Sequence, residues 1–225
     1  MNSKKYSRYC IIFDMDGVLA DTEPIHFESW VKLGKEIGVE FTKGLFKQTF
    51  GQQSPTITRR LVGAGIDQNL IEKWADLKEQ YYRDMVQNKL QPLPGAVELI
   101  KRLKSKGFKL AVGSSAPPEN VELLLNSLKI KKYFDVIITA EDVEKGKPEP
   151  DVFLKASNIL KIEPKNCIVI EDAPVGIEAA KQAGMRSIAL TTSHYKDELQ
   201  AAQIILKDLS SVSTDDIIKL FEMLD

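Results

Sequence analysis

YCIIFDMDG, residues 9–17, begins as a run of strand-forming apolar side chains and stops abruptly at two aspartates and a glycine. Runs of the same kind recur downstream: KLAVG (109–113), VIIT (136–139), CIVIE (167–171) and RSIAL (186–190). Each is short and apolar at consecutive positions, the pattern of strands in a parallel sheet covered on both faces. Amphipathic helices separate them, over 94–106, 117–128, 150–160 and 174–183. Each of these opens on a proline, which the first helical turn tolerates, and Gly107 and Gly184 supply stop signals. Strand–helix alternation of this kind predicts an open, doubly wound α/β core.

One stretch breaks the rhythm. Between about residues 22 and 87 the pattern is helical throughout, over 24–38, 43–50, 55–62 and 69–87, with no strand between. A helical insert after the first strand reads as a small domain of its own. The expected division is a catalytic core of residues 1–21 and 90–225 and an all-helical cap of residues 22–89. The hinges fall near 20–23 and 89–94.

Composition narrows the function. The chain has 225 residues, with 31 basic against 32 acidic and a formal net charge of −1. That balance lacks the basic footprint of a nucleic-acid or anionic-membrane binder. The two cysteines, Cys10 and Cys167, lie inside apolar runs and read as buried free thiols. The first apolar run is too short for a signal-peptide core, and no stretch is long enough to span a bilayer. A cytoplasmic protein is expected, a monomer or weak homo-oligomer with a small-molecule substrate.

In an open parallel sheet, ligands bind at the carboxyl ends of the strands. Four groups stand there: Asp14-Met15-Asp16-Gly17, Ser114-Ser115, Glu171-Asp172, and Lys147 after VIIT. Carboxylates from two strand ends, a hydroxyl and an ammonium are the parts that hold Mg²⁺ and a phosphoryl group. An EF-hand reading of the Asp-x-Asp-Gly loop fails, because positions 18, 19 and 25 are Val18, Leu19 and Ile25. The aspartates also suit an ordinary turn, the serines and Glu171-Asp172 a helix cap, and Lys147 a solvated loop. Each plain alternative is reasonable singly; their joint occurrence at successive strand ends is not.

The stretches FDMDGVLADTEPIH (13–26), VGSSAPPEN (112–120), KGKPEPDVF (145–153) and VIEDAPVGIEAA (169–180) resemble the haloacid dehalogenase (HAD) superfamily. The likeness covers nearly the whole chain and is greatest to the β-phosphoglucomutase-like phosphatases with a helical cap on a Rossmann-like core. The resemblance implies that Asp14 is the nucleophile and becomes an aspartyl phosphate, and that Asp16 is the general acid/base. It implies Mg²⁺ held by Asp14, the Asp16 carbonyl oxygen and Asp172, with Glu171 helping directly or through water. Ser114 and the Ser115 N–H would bind phosphoryl oxygens, with the latter at a helix N-terminus. Lys147 would bridge the phosphoryl group and Asp14. The second aspartate favours phosphoryl transfer over carbon–halogen cleavage.

In the cap, the resemblance gives substrate-side roles to Thr22, His26, Trp30, Gly51 and Lys78, each of which also suits helix packing or solvent, while Gln52 and Gln53 suit either sugar hydroxyls or water. One departure bears on the reaction. True β-phosphoglucomutases carry an arginine three residues after the glycine matching Gly51; here that residue is Ser54. Losing a bidentate phosphate anchor weakens binding of a second phosphate. The expectation is a phosphatase of a small phosphomonoester. A β-phosphoglucomutase-type isomerase is the alternative, with an inorganic pyrophosphatase or a non-catalytic phosphometabolite sensor further off.

Overall fold

A computed structural model describes residues 6–87 and 89–222. Strand β1 (Cys10–Phe13) is followed by four helices, α1 (Glu23–Ile37), α2 (Lys43–Thr49), α3 (Ser54–Val62) and α4 (Gln68–Val86). The alternating part follows: α5 (Ala96–Lys106), β2 (Lys109–Gly113), α6 (Pro118–Ser127), β3 (Val136–Ile138), α7 (Asp151–Leu160), β4 (Cys167–Glu171), α8 (Pro174–Gln182) and β5 (Arg186–Leu190). Strand β6 (Ile204–Leu206) and helix α9 (Thr214–Glu222) complete it.

All five strand pairings are parallel, in the order β3-β2-β1-β4-β5-β6. The chain runs outward from β1 through β2 to β3, then returns to the other side of β1 with β4. The crevice at this reversal lies between the carboxyl ends of β1 and β4, where open α/β sheets bind ligands. Strand β1 shows why both faces must be covered. Ile11 and Phe13 point into a cluster with α5, α6 and α9, through Leu99, Leu124 and Leu220. Cys10 and Ile12 point into the opposite cluster with Phe153 of α7 and Ala180 of α8. Full burial of an aliphatic side chain contributes roughly 1.5–3 kcal/mol, so β1 is anchored from both sides at the point where its acidic loop begins.

The insert has its own core, in which Trp30, Leu33, Phe41, Phe46, Phe50 and Ile57 pack together. It joins the sheet domain through two adjacent strands of backbone. Ala20 and Pro92 form an antiparallel bridge, and the Leu93 N–H donates to the Leu19 carbonyl at 3.0 Å.

The element boundaries shift by a residue or two from the sequence reading. Pro150 and Pro117 precede α7 and α6 as caps, and the cap of α5 is Gly95. Neither β6 nor α9 was expected. Both cysteines are buried and free. Among the described residues no helix is long and apolar enough to cross a membrane.

Candidate active site

The loop after β1 turns on Gly17, whose φ is +74°. A Cβ there would lie 1.8 Å from Asp172 Oδ2, so only glycine admits both the left-handed turn and the carboxylate opposite. The Gly17 N–H donates to the Ala20 carbonyl at 2.9 Å, closing the loop over residues 14–20. Asp14 therefore leaves β1 beside β4, and its N–H donates to the Ile170 carbonyl at 2.9 Å.

Lys147 joins the two strand ends. Its Nζ donates to Asp14 Oδ1 at 2.5 Å and to Glu171 Oε1 at 2.7 Å, with all three side chains buried. Glu171 is engaged at its other oxygen too, accepting from the N–H groups of Asp172 at 2.7 Å and Ala173 at 2.8 Å. Asp172 Oδ2 accepts from the Ser193 hydroxyl and, at 3.3 Å, from Thr192 Oγ1. Thr192 also donates to the Gly17 carbonyl at 2.6 Å. Ser114, at the end of β2, is buried, and its Oγ accepts from the Ala116 N–H at 3.1 Å.

Ligand oxygens of Asp14, Glu171 and Asp172 lie within 4.8 Å of one another. Their electrostatics fit a cation. Burial pushes Asp14 up to about 8, and the charges of Glu171 and Asp16 add to this against the pull of Lys147. Asp172 is raised well above the usual carboxylate range by burial and by the charges of Glu171 and Asp14. A hard divalent cation among these all-oxygen donors would favour the ionised form of both. The Asp16 carboxylate lies outside this group.

Asp16 has a different environment. Its Oδ1 accepts from Thr22 Oγ1 at 2.5 Å and from His26 Nε2 at 3.2 Å. Burial raises its pKa, but His26, Thr22 and Lys78 outweigh burial and hold it below the usual range. Lys78 Nζ donates to His26 Nδ1 at 2.8 Å, which fixes the ring as a donor at Nε2. The same ammonium donates to Glu79 Oε1 at 2.9 Å. Ser54 also donates to Glu79 Oε1, and Asn120 Nδ2 donates to Oε2 at 2.6 Å. A continuous buried chain thus runs from Asp16 through the α1 and α4 helices back to α6.

A cavity of about 40 Å³ is bordered by Asp14, Asp16 and Ser114 from the sheet side and by His26, Trp30 and Lys78 from the helical insert. Gly51, Gln52 and Ser115 border it as well. Trp30 serves packing too, since it stacks on Phe41 with centroids 5.1 Å apart. Two details differ from expectation. Helix α6 starts at Pro118 with Pro117 as its cap, so Ser115 is outside its first turn and helix-N-terminal assistance there does not arise. Gln53 donates to the Ala140 carbonyl at 3.2 Å, so its amide links the insert to the sheet domain.

Sequence reading missed Thr192, Ser193 and His194. The rule that found the other groups would have found these, because they follow the carboxyl end of β5. His194 joins the halves: Nδ1 lies 3.1 Å from the Asp172 carbonyl and Nε2 lies 3.2 Å from the Lys47 carbonyl of α2. Glu79 was missed as well, and it carries no sequence signal beyond its place beside Lys78.

Comparison with known proteins agrees with this construction. A family model described as haloacid dehalogenase-like hydrolase matches residues 11–190. The chain is 33% identical over 201 residues to validoxylamine A 7'-phosphate phosphatase of Streptomyces hygroscopicus subsp. limoneus, covering 89% of this chain and 94% of that protein. It is 33% identical over 182 residues to phosphorylated carbohydrates phosphatase of Thermotoga maritima, covering 79% and 82%. The crystal structure of β-phosphoglucomutase from Clostridium difficile superposes with a TM-score of 0.87 at 27% identity, covering 96% of this chain and 97% of that one. The chain belongs to the haloacid dehalogenase-like hydrolase family, as an enzyme of its β-phosphoglucomutase-like branch of phosphatases with a helical cap.

Proposed function

We propose that the protein is a Mg²⁺-dependent phosphatase that hydrolyses a small phosphomonoester, a sugar phosphate or related metabolite, through an aspartyl phosphate on Asp14. The observation that carries this reading is the buried contact of Asp14 with Lys147 at 2.5 Å, on the same loop as a second carboxylate held in a separate environment. In the metal-free site Asp14 is raised and Asp16 lowered. The roles of nucleophile and acid/base need that order reversed, with a bound cation ionising Asp14 and the substrate's phosphoryl charge protonating Asp16.

An Asp14 carboxylate oxygen attacks phosphorus, and the bond from phosphorus to the leaving oxygen breaks. Asp16 delivers a proton to that oxygen. Asp16 then takes a proton from water, whose oxygen attacks phosphorus; phosphate leaves and the Asp14 carboxylate is restored. Asp16 can carry its proton because an arriving phosphoryl dianion raises its pKa, and rotation away from Thr22 and His26 frees it. Lys147 and Ser114 balance charge on the phosphoryl oxygens. Bound Mg²⁺ would supply further neutralisation of Asp14 and the phosphoryl group, held by Asp14, Asp172 and the Asp16 carbonyl. Glu171, whose oxygens already hold Lys147 and two N–H groups, would support that set from behind. Residues 22–89 act as the cap that excludes water, and residues 1–21 and 90–225 as the core.

The likeness to a β-phosphoglucomutase structure keeps isomerisation as the second reading. Ser54 and its bond to Glu79 favour hydrolysis, since no arginine stands there to hold a distal phosphate. With Mg²⁺ and a panel of phosphorylated metabolites that includes β-glucose 1-phosphate, the expected product is free phosphate. Bisphosphate-primed formation of glucose 6-phosphate faster than phosphate release would overturn the preference.

A further inference from the structure

The catalytic cavity shares Ser54, Glu79 and Ser115 with a second pocket of about 190 Å³, which Asp76 and Glu141 also border. A substrate whose phosphate sits at Asp14 therefore has an adjoining space for the rest of the molecule. The linings of the two spaces contain one ammonium, Lys78. Its charge is already met: it donates to Glu79 and His26, and it lies 5.1 Å above the Trp30 ring.

Glu79 is buried and held at both carboxylate oxygens. Lys78 and Ser54 bond one oxygen and Asn120 the other. Burial raises its pKa, but the Lys78 ammonium and the Ser54 hydroxyl pull it down and keep it a carboxylate. At the junction of the two spaces, Ser115 Oγ is buried without a hydrogen-bond partner. Buried polar atoms are satisfied as a rule, so an orphan hydroxyl lining a binding space points to a ligand group that completes it.

We propose that Glu79 is a specificity-determining residue that excludes a second anionic group, so that the substrate beyond its phosphate is an uncharged, hydroxyl-bearing group lying between Ser115 and Glu79. The inference rests on the phosphomonoester reading and deepens it. A second phosphate would meet Glu79 at close range, with Asp76 and Glu141 behind it and no unpaired cation in the lining to receive it. Sugar hydroxyls find the Ser115 hydroxyl, the Gln52 amide and the remaining lone pairs of Ser54 and Glu79.

The test is calorimetric binding of fructose 1-phosphate and fructose 1,6-bisphosphate with Mg²⁺, in an Asp14→Asn background that blocks turnover. With Glu79 present, the monophosphate should bind at least as tightly as the bisphosphate. Glu79→Gln keeps the shape and removes the charge, and should shift the affinity ratio about tenfold or more toward the bisphosphate. The exposed pair Asp76→Asn with Glu141→Gln, which leaves the buried network intact, should shift it the same way by about two- to threefold. An unchanged ratio in both variants overturns the proposal, as does bisphosphate binding tenfold tighter than monophosphate with Glu79 in place. Failure of either sugar to bind in any background also overturns it. The phosphatase reading is judged separately, by phosphate release from the metabolite panel.

Discussion

Asp14→Asn is expected to lower kcat by at least about 10⁴-fold, because an amide of the same shape cannot form the covalent intermediate. The same variant should be more stable than the parent at pH 7 in metal-free buffer. Asp14 has a folded-state pKa of about 8, above the ordinary carboxylate value of 3.8, chiefly through burial. For an acid raised in this way, stability is fully present below the ordinary value and is lost as pH rises through the folded one. At pH 7 the parent therefore carries a deficit that the neutral amide removes. Lys147 keeps Glu171 as a partner in the variant. Thermal melts should show the gap narrowing as pH falls toward 4. It should also narrow on adding Mg²⁺, which stabilises the parent by about 2.7 kcal/mol at a hundredfold excess over Kd. A variant that melts lower than the parent in metal-free buffer at pH 7 would contradict this description of the site.

Lys147→Met carries the second large effect, on rate and stability together. The methionine stem retains packing where Nζ now lies 5.0 Å from the Phe153 ring centroid. The charge is lost, and with it the one ammonium bonded to both Asp14 and Glu171. Burial alone would lower the lysine pKa, yet those two carboxylates hold it above its ordinary value, so the cation is firmly maintained. Leaving buried carboxylates unpaired costs about 3–5 kcal/mol, which denaturant melts would measure without metal. Loss of charge neutralisation on the phosphoryl oxygens should lower kcat by about 10²–10³-fold. Adding Glu171→Gln separates the two effects. The double variant should regain part of the stability and none of the rate. Recovery of both would make Lys147 a structural counter-ion alone.

These expectations began from strand ends, and that part of the molecule was legible for a physical reason. A strand covered on both faces must be apolar at consecutive positions, so the first charged residue after it marks the sheet's carboxyl edge. CIIF before Asp14 and CIVIE before Asp172 are of this kind, and the structure sets them side by side. Strand β6 escaped because it is three residues long, pairs on one side only and is half-buried along its length. Thr192 and Ser193 were open to the same rule as Asp14, but hydroxyls after RSIAL draw less notice than carboxylates.

The insert was legible as helices and opaque as a binding surface. Which side chains face a cavity depends on how four helices meet, and local spacing carries little of that. Ser54 could be read as a missing arginine, whereas its bond to a carboxylate 25 residues away could not. Asn120 reaches the same carboxylate from the sheet domain, 41 positions downstream. Lys78 and Glu79 are neighbours in sequence, and only the packed structure shows that one cancels the other.

The most direct test of the covalent role of Asp14 is the stereochemical course at phosphorus, followed with a substrate made chiral by oxygen isotopes and transferred to an alcohol acceptor. Transfer through Asp14 is two in-line displacements, and the expected result is net retention of configuration. Net inversion would mean a single direct attack by the acceptor and would contradict an aspartyl phosphate at Asp14.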